Sequence, residues 1–312
     1  MEKPSWTTYF FLFVVAALWG ASWVAAKIMV AEIHPFVAGS IRFILVFLLM
    51  FPVLLWKEGR QGLPRKRDLP LLFFQGLTGV FLYNVFFLKG MQTTTAINGS
   101  LIVMGCPVLT VLFSTLYLKE NLRKLQLAGF SIAMLGVMVV IGQGSWEALT
   151  HIKFYPGDLL IALCTVVFAA YNVSGKVAAG RVSPLGITTF SAGFGAVMLT
   201  VLAYPYFDLV ELSQASWSAW GGLLFLVVFA TALAFALWFE SIKRIGASRA
   251  AVFLYLVPVA AALTAILVLH ERIYAYHIIG GLLVFCGVYI ANHISLGDNK
   301  TKGLGEMPSP AR

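Results

Sequence analysis

Long apolar runs alternate with short polar links along the whole chain. About 20 consecutive apolar residues cross the hydrocarbon core of a bilayer as a helix. Ten such runs can be counted: Tyr9–Val30, Phe36–Trp56, Pro70–Lys89, Ala96–Leu118, Leu125–Ile141, Pro156–Val177, Pro184–Tyr206, Trp217–Phe239, Ala247–Leu269 and Tyr274–Ile294. The pattern predicts an all-α integral membrane protein of ten transmembrane helices. The longest links, Lys57–Leu69 and Gln143–Tyr155, are too short for a soluble domain. The first run is too long for a signal-peptide core and is expected to be retained.

Composition sharpens this picture. Of 312 residues, 60% are hydrophobic and 11% are charged, against about 25% charged in soluble domains. Lipid must therefore solvate most of the surface. Cys106, Cys164 and Cys286 lie in apolar runs without paired spacing and are expected to be small buried hydrophobes. The net charge of +9 sits in the links, not in a basic stripe with aromatics, so nucleic acid is not an expected partner. With the N-terminus inside, 17 of the 22 lysines and arginines fall on the inner side. That bias predicts cytoplasmic termini in a plasma-membrane protein.

Comparing the two halves reveals a repeat. At a shift of 149, Lys27 meets Lys176 and Pro35 meets Pro184; at 151, Pro107, Glu120, Gly129 and Gly136 meet Pro258, Glu271, Gly280 and Gly287. The halves, residues 1–150 and 151–298 with a cytoplasmic tail 299–312, hold five runs each. An odd number makes the second half enter the membrane from the opposite side. Inverted repeats around a midplane site are a mark of secondary transporters, so a central cavity between the halves is expected, lined by runs 1–4 and 6–9.

The chain resembles the drug/metabolite transporter superfamily in its ten-helix EamA branch. The likeness rests on Trp19-Gly20-Ala21-Ser22, on Pro107…Leu118-Lys119-Glu120-Asn121-Leu122…Gly129…Gly136, and on the echo Pro258…Leu269-His270-Glu271-Arg272-Ile273…Gly280…Gly287. It extends over residues 9–294, and the second half departs from it at Phe168-Ala169, where Trp-Gly would stand. The resemblance implies an exporter or permease for small organic metabolites working by alternating access. Rival readings are an exporter of cationic compounds and a non-transporting membrane assembly protein.

Candidate contacts for a small-molecule substrate follow from polar and aromatic groups at depth. Trp19, Trp23 and Lys27 are spaced by four, which puts them on one helix face; the shift of 149 carries them to Phe168, Asn172 and Lys176. Arg42 either snorkels or forms a fork for a carboxylate. Tyr83, Tyr171, Trp238 and Tyr255 carry polar handles deep in apolar runs, and Asn84, Asn98 and Asn172 are either inter-helix glue or pocket lining. The solute fitting these groups is amphipathic and bears a carboxylate, as an amino acid does.

Other groups carry structural expectations. Asp158 and Glu240 lie near the ends of their runs and are expected to be solvated at the interface, which leaves no deep acid for proton coupling. Glu120 and Glu271 are expected to cap the helix that follows each of them. Pro107 and Pro258 should kink runs 4 and 9, beside a cavity or in plain packing. The glycines spaced by seven should let runs 5 and 10 approach closely. No P-loop, metal-ligand spacing or catalytic set is present, so neither a cofactor nor enzymatic activity is expected. The sequence does not set the oligomeric state, and a monomer is compatible with it.

Overall fold

A computed structural model describes residues 6–118, 124–145, 155–179, 181–235, 237–238, 241 and 252–302. Glu120, Trp146 and Glu240 lie outside these, as do the side chains of Pro107, Lys176 and Tyr255. The fold is all-helical among the described residues. The main helices are α1 (Trp6–Glu32), α2 (Pro35–Glu58), α3 (Lys66–Met91), α4 (Ala96–Tyr117), α5 (Lys124–Ile141), α6 (Pro156–Ala179), α7 (Pro184–Ala203), α8 (Trp217–Leu233), α9 (Val257–Leu269) and α10 (Ala275–Lys302). Six of them, α1–α4, α6 and α7, are long and apolar enough to cross a membrane, and the other four hold shorter apolar stretches. Pro35 and Pro184 open α2 and α7 in the first turn, where a missing N–H has no intrahelical partner to lose.

Two helices contain a stretch of π-helix, Gly76–Leu82 in α3 and Phe225–Leu233 in α8. Such wide turns are rare and leave main-chain carbonyls free for other donors. The two stretches stand 149 residues apart at their first residues. Both runs are interrupted just before their prolines, so the expected kink takes the form of a new helix start. The chain breaks at Met104-Gly105 with three-residue turns, and a 3₁₀ segment, Val252–Leu256, precedes α9. Pro107 and Pro258 thus sit in the first turn of a new helix, where no helical bond has to be broken.

Helix pairing is regular. α1 packs on α8 and α9, and α6 packs on α3 and α4. α2 lies along α7, and α5 lies along α10. The last pair meets through glycine, as expected: a Cβ on Gly136 would stand 2.6 Å from the Gly280 carbonyl, and one on Gly287 would stand 2.4 Å from Ala133 N. Large apolar side chains cover the outside, with Trp56 and Trp217 more than four-fifths exposed near helix ends. Polar groups such as Ser40, Gln75, Asn84, Asn98 and Asp158 are buried between helices. That inversion is what a lipid solvent requires.

Candidate functional site

The residues singled out by sequence gather in three places. The first is a polar and aromatic strip shared by α2, α3, α4 and α6. Arg42 lies seven residues inside α2, a depth of about 10 Å in a hydrocarbon core of about 30 Å. Its Nη1 donates to Asn84 Oδ1 at 3.4 Å, and its guanidinium lies 5.1 Å from the Phe43 ring. Its Nε is buried without a hydrogen-bond partner. The ion pairs within 4.0 Å among the described residues are Lys27–Glu271 and Arg67–Asp68, so none of the described carboxylates pairs with Arg42. Asn84 in turn donates to Val80 O, a carbonyl of the π stretch in α3.

Tyr83 extends this strip. Its hydroxyl lies beside the Cys164 thiol, and its ring packs 5.1 Å from Phe168, which stacks on Tyr171 at 5.5 Å. Tyr171 occupies the space where Gly79 lacks a side chain. Asn172 donates to Cys106 Sγ and Thr110 Oγ1, both at 3.4 Å. The structure therefore brings Arg42, Tyr83, Phe168, Tyr171 and Asn172 together. It adds Cys106, Thr110 and Cys164, which the sequence leaves within apolar runs, and Asn84, for which the sequence leaves glue and pocket lining open. Cys106 and Cys164 are buried, as the apolar runs predict, and they also line the strip.

The second place is on the opposite side of α1. Trp19 Nε1 donates to Ala230 O at 3.0 Å, and this carbonyl belongs to the π stretch of α8. Its ring packs 5.4 Å from Trp238 and 5.5 Å from Phe235. Trp23, one turn on, turns instead to Phe87, at 5.0 Å, and fills the space beside Gly99. The two tryptophans thus serve different interfaces of α1. Tyr255 lies in the 3₁₀ segment before α9, and Lys176 lies in the last turns of α6.

The third place is a polar lock at one end of the bundle. Lys27 Nζ donates to Thr94 O and stands 4.0 Å from Glu271 Oε1. Glu271 accepts from the N–H groups of Ala96 and Ile97, at 2.9 and 3.2 Å. It therefore caps α4, not the helix that follows it. Asp158 is fully buried, not solvated at an interface. It accepts from Thr94 Oγ1 and, at 3.1 Å, from Asn98 Nδ2. Asn98 Oδ1 lies 2.8 Å from His277 Nε2, and His277 Nδ1 accepts from Tyr274 N–H at 3.0 Å. Helix-end position in the sequence hides this burial, because the links 91–95 and 270–274 fold over the start of α6.

No group of three metal-ligating side chains occurs among the described residues. A shallow apolar depression bordered by Phe81, Val197, Val201 and Tyr206 lies elsewhere, between α3 and α7.

Comparison with known proteins places this architecture. The model of the EamA-like transporter family matches residues 6–142 and again 155–293. The uncharacterized transporter YyaM of Bacillus subtilis is 32% identical over 286 residues, covering 92% of this chain and 93% of its own. A probable terminal-alkyne amino-acid exporter of Streptantibioticus cattleyicolor is 27% identical over 249 residues, 80% of each chain. A solved crystal structure with a TM-score of 0.64 and 19% identity covers 94% of this chain and 99% of its own, and so shares the fold. With helices of membrane-crossing length and a family model matching nearly end to end, the chain is a multi-pass membrane protein that belongs to the EamA-like transporter family.

Proposed function

We propose that this transporter moves small organic solutes bearing a carboxylate, amino acids or their derivatives, by alternating access, and that Arg42 holds the carboxylate. The observation that carries this reading is the half-buried Arg42, whose Nε is enclosed without a hydrogen-bond partner and which has no anionic partner among the described residues. Removing a partner from a buried charge is strongly unfavourable, and ionisable groups inside a membrane are functional by default. A substrate carboxylate would supply the missing charge through a two-pronged contact with the free Nε and a terminal nitrogen. Phe168, Tyr83 and Tyr171 offer an apolar wall beside it. The exporter of terminal-alkyne amino acids among its relatives supports the solute class.

Alternating access also needs two halves that can exchange roles. Residues 1–150 and 151–298, followed by the tail 299–312, are taken as the inverted repeats. Three features support this: the twice-matching family model, the π stretches 149 residues apart, and the pairing of α1 with α8 and α9 against that of α6 with α3 and α4. A carbonyl in each π stretch accepts from a side chain, Val80 O from Asn84 in one half and Ala230 O from Trp19 in the other, although the two positions are not related by the shift of 149.

The test is exchange of radiolabelled L-phenylalanine in proteoliposomes, set against its decarboxylated analogue phenethylamine. L-phenylalanine is expected to exchange and the amine is not. A lost charge-assisted contact of about 1.5–3 kcal/mol corresponds to a roughly ten- to hundredfold higher KM in Arg42→Ala, with partial recovery in Arg42→Lys. Equal transport of the amine, or an unchanged KM in Arg42→Ala, overturns the reading. The cationic-compound alternative has one observation in its favour, the buried Asp158, and transport of phenethylamine alone would establish it.

A further inference from the structure

The lock around Lys27 has an unbalanced charge count. Among the described residues it holds two carboxylates, Asp158 and Glu271, and one ammonium, Lys27. His277 adds none: Nδ1 accepts from the Tyr274 N–H, so the hydrogen is on Nε2, where it is donated to Asn98 Oδ1. Lys27 stands within ion-pair distance of Glu271 and not of Asp158. Asp158 is thus a fully buried carboxylate whose hydrogen-bond donors among the described residues are neutral. The hydrogen bonds from Tyr274 through His277 and Asn98 all run toward it.

We propose that Asp158 is a proton-binding site, and that its occupancy controls the closure of this end and couples solute movement to a proton. The coupling part rests on the transporter reading above; the proton site does not. The surroundings accommodate both protonation states with one reversed hydrogen bond. A hydroxyl can donate or accept, so Thr94 donates to the anionic Oδ1 and accepts from the protonated one. Asn98 Nδ2 donates to Oδ2 in either state. Proton transfer from hydronium to Oδ1 leaves water and a neutral acid. The same Thr94 holds Lys27 through its carbonyl, so discharge of Asp158 weakens what keeps Lys27 in place.

Both oxygens of Asp158 are engaged by neutral donors, Thr94 and Asn98, and the start of α6 is pressed against the end of α3, where a Cβ on Gly157 would stand 2.4 Å from Gly90 O and 2.6 Å from Thr94 N. Among the described residues, the titratable groups around the site are Lys27 from α1, Glu271 and Tyr274 from the link 270–274, Tyr276 and His277 from α10, and Tyr155 at the head of α6. From α3 and its link the facing side chain is Thr94, and from α4 it is Asn98. Lys89, exposed on α3, lies over the Phe36 ring instead.

Infrared difference spectra of the purified full-length protein, recorded between alkaline and acidic buffer, read the proton directly. A protonated-carboxyl C=O band should titrate in the wild type, disappear in Asp158→Asn and persist in Glu271→Gln. Thr94→Val keeps the acid and removes its partner, so the band should remain and shift its midpoint; this second variant decides the matter if Asp158→Asn does not fold. A band untouched by both Asp158→Asn and Thr94→Val overturns the proton site. In proteoliposomes, an imposed pH gradient should drive accumulation of L-phenylalanine by the wild type. Asp158→Asn should lose that accumulation and keep exchange at equal pH. Gradient-driven accumulation that survives in Asp158→Asn overturns the coupling. If the wild type shows no exchange, the transporter reading fails for this solute, and the infrared titration still decides the proton site.

Discussion

Arg42 and Asp158 illustrate what a residue does when lipid replaces water around a helix bundle. Each is ionisable, Asp158 is fully buried and Arg42 half-buried with its Nε enclosed, and neither has an ion partner among the described residues. Trp19 shows the milder version of the same demand. Its indole N–H donates to the Ala230 carbonyl within the π stretch of α8. Trp19→Phe keeps an aromatic ring and deletes that donor, so it should lower stability by about 1 kcal/mol. Trp19→Ala also loses the packing on Trp238 and should cost about 3–5 kcal/mol. Thermal unfolding of the purified variants in detergent checks both, and equal midpoints for the two variants would refute the assignment. At this scale the sequence marks the right residue types better than their surroundings. Arg42, Tyr83, Phe168, Tyr171 and Asn172 are visible as polar or aromatic interruptions of apolar runs. Asp158 is visible too, but what buries it is two links distant in sequence, and no local pattern carries that information. Cys106 and Cys164 are hidden for the opposite reason, since a thiol in an apolar run looks like any small hydrophobe.

Helices were legible from periodless apolar runs, and most of their bounds lie within a few residues of the predicted ones. The glycines spaced by seven also specify their contact: Gly136, Gly280 and Gly287 sit where α5 and α10 backbones touch. Gly287→Ala would place a methyl group 2.4 Å from Ala133 N and 2.5 Å from Gly129 O. Backbone cannot step aside as a side-chain tip can, so the helices must separate. Overpacking of this kind costs about 1–3 kcal/mol. Gly221→Ala, with nothing within 4 Å of the added carbon, is the matched control. A lower unfolding midpoint for Gly287→Ala and an unchanged one for Gly221→Ala is the expected outcome; equal midpoints would mean that the α5–α10 seam is looser than the geometry implies. The π stretches in α3 and α8, by contrast, leave no trace in the apolar pattern. A wide turn needs only one extra residue in the ladder, and the side chains that compensate for it, Asn84 and Trp19, are read locally as glue and as a ring.

For the whole molecule, the link charges predict an orientation that can be tested independently of any solute. Lys57, Arg60, Arg65, Lys66 and Arg67 fall between α2 and α3, whereas the link after α3 contains no lysine or arginine between Gln92 and Thr95. Positive charge is retained on the cytoplasmic side during insertion, which places Gln61 inside and Gln92 outside. α3 runs over 26 residues between these links, a rise of about 39 Å that exceeds a hydrocarbon core of about 30 Å. Native thiols interfere little, because Cys106 and Cys164 are buried, and Cys286 faces outward from an apolar stretch of α10. A membrane-impermeant maleimide applied to intact cells should therefore label Gln92→Cys at once and Gln61→Cys only after the membrane is opened. The opposite order would invert the orientation. Labelling of both positions from one side would mean that α3 does not cross, and the alternation of the two halves would fail with it. The same labelling bears on the lock, since Gln92 lies two residues before Thr94. On the proposed coupling, acidification should raise the Gln92→Cys labelling rate, and Asp158→Asn should remove that dependence on pH.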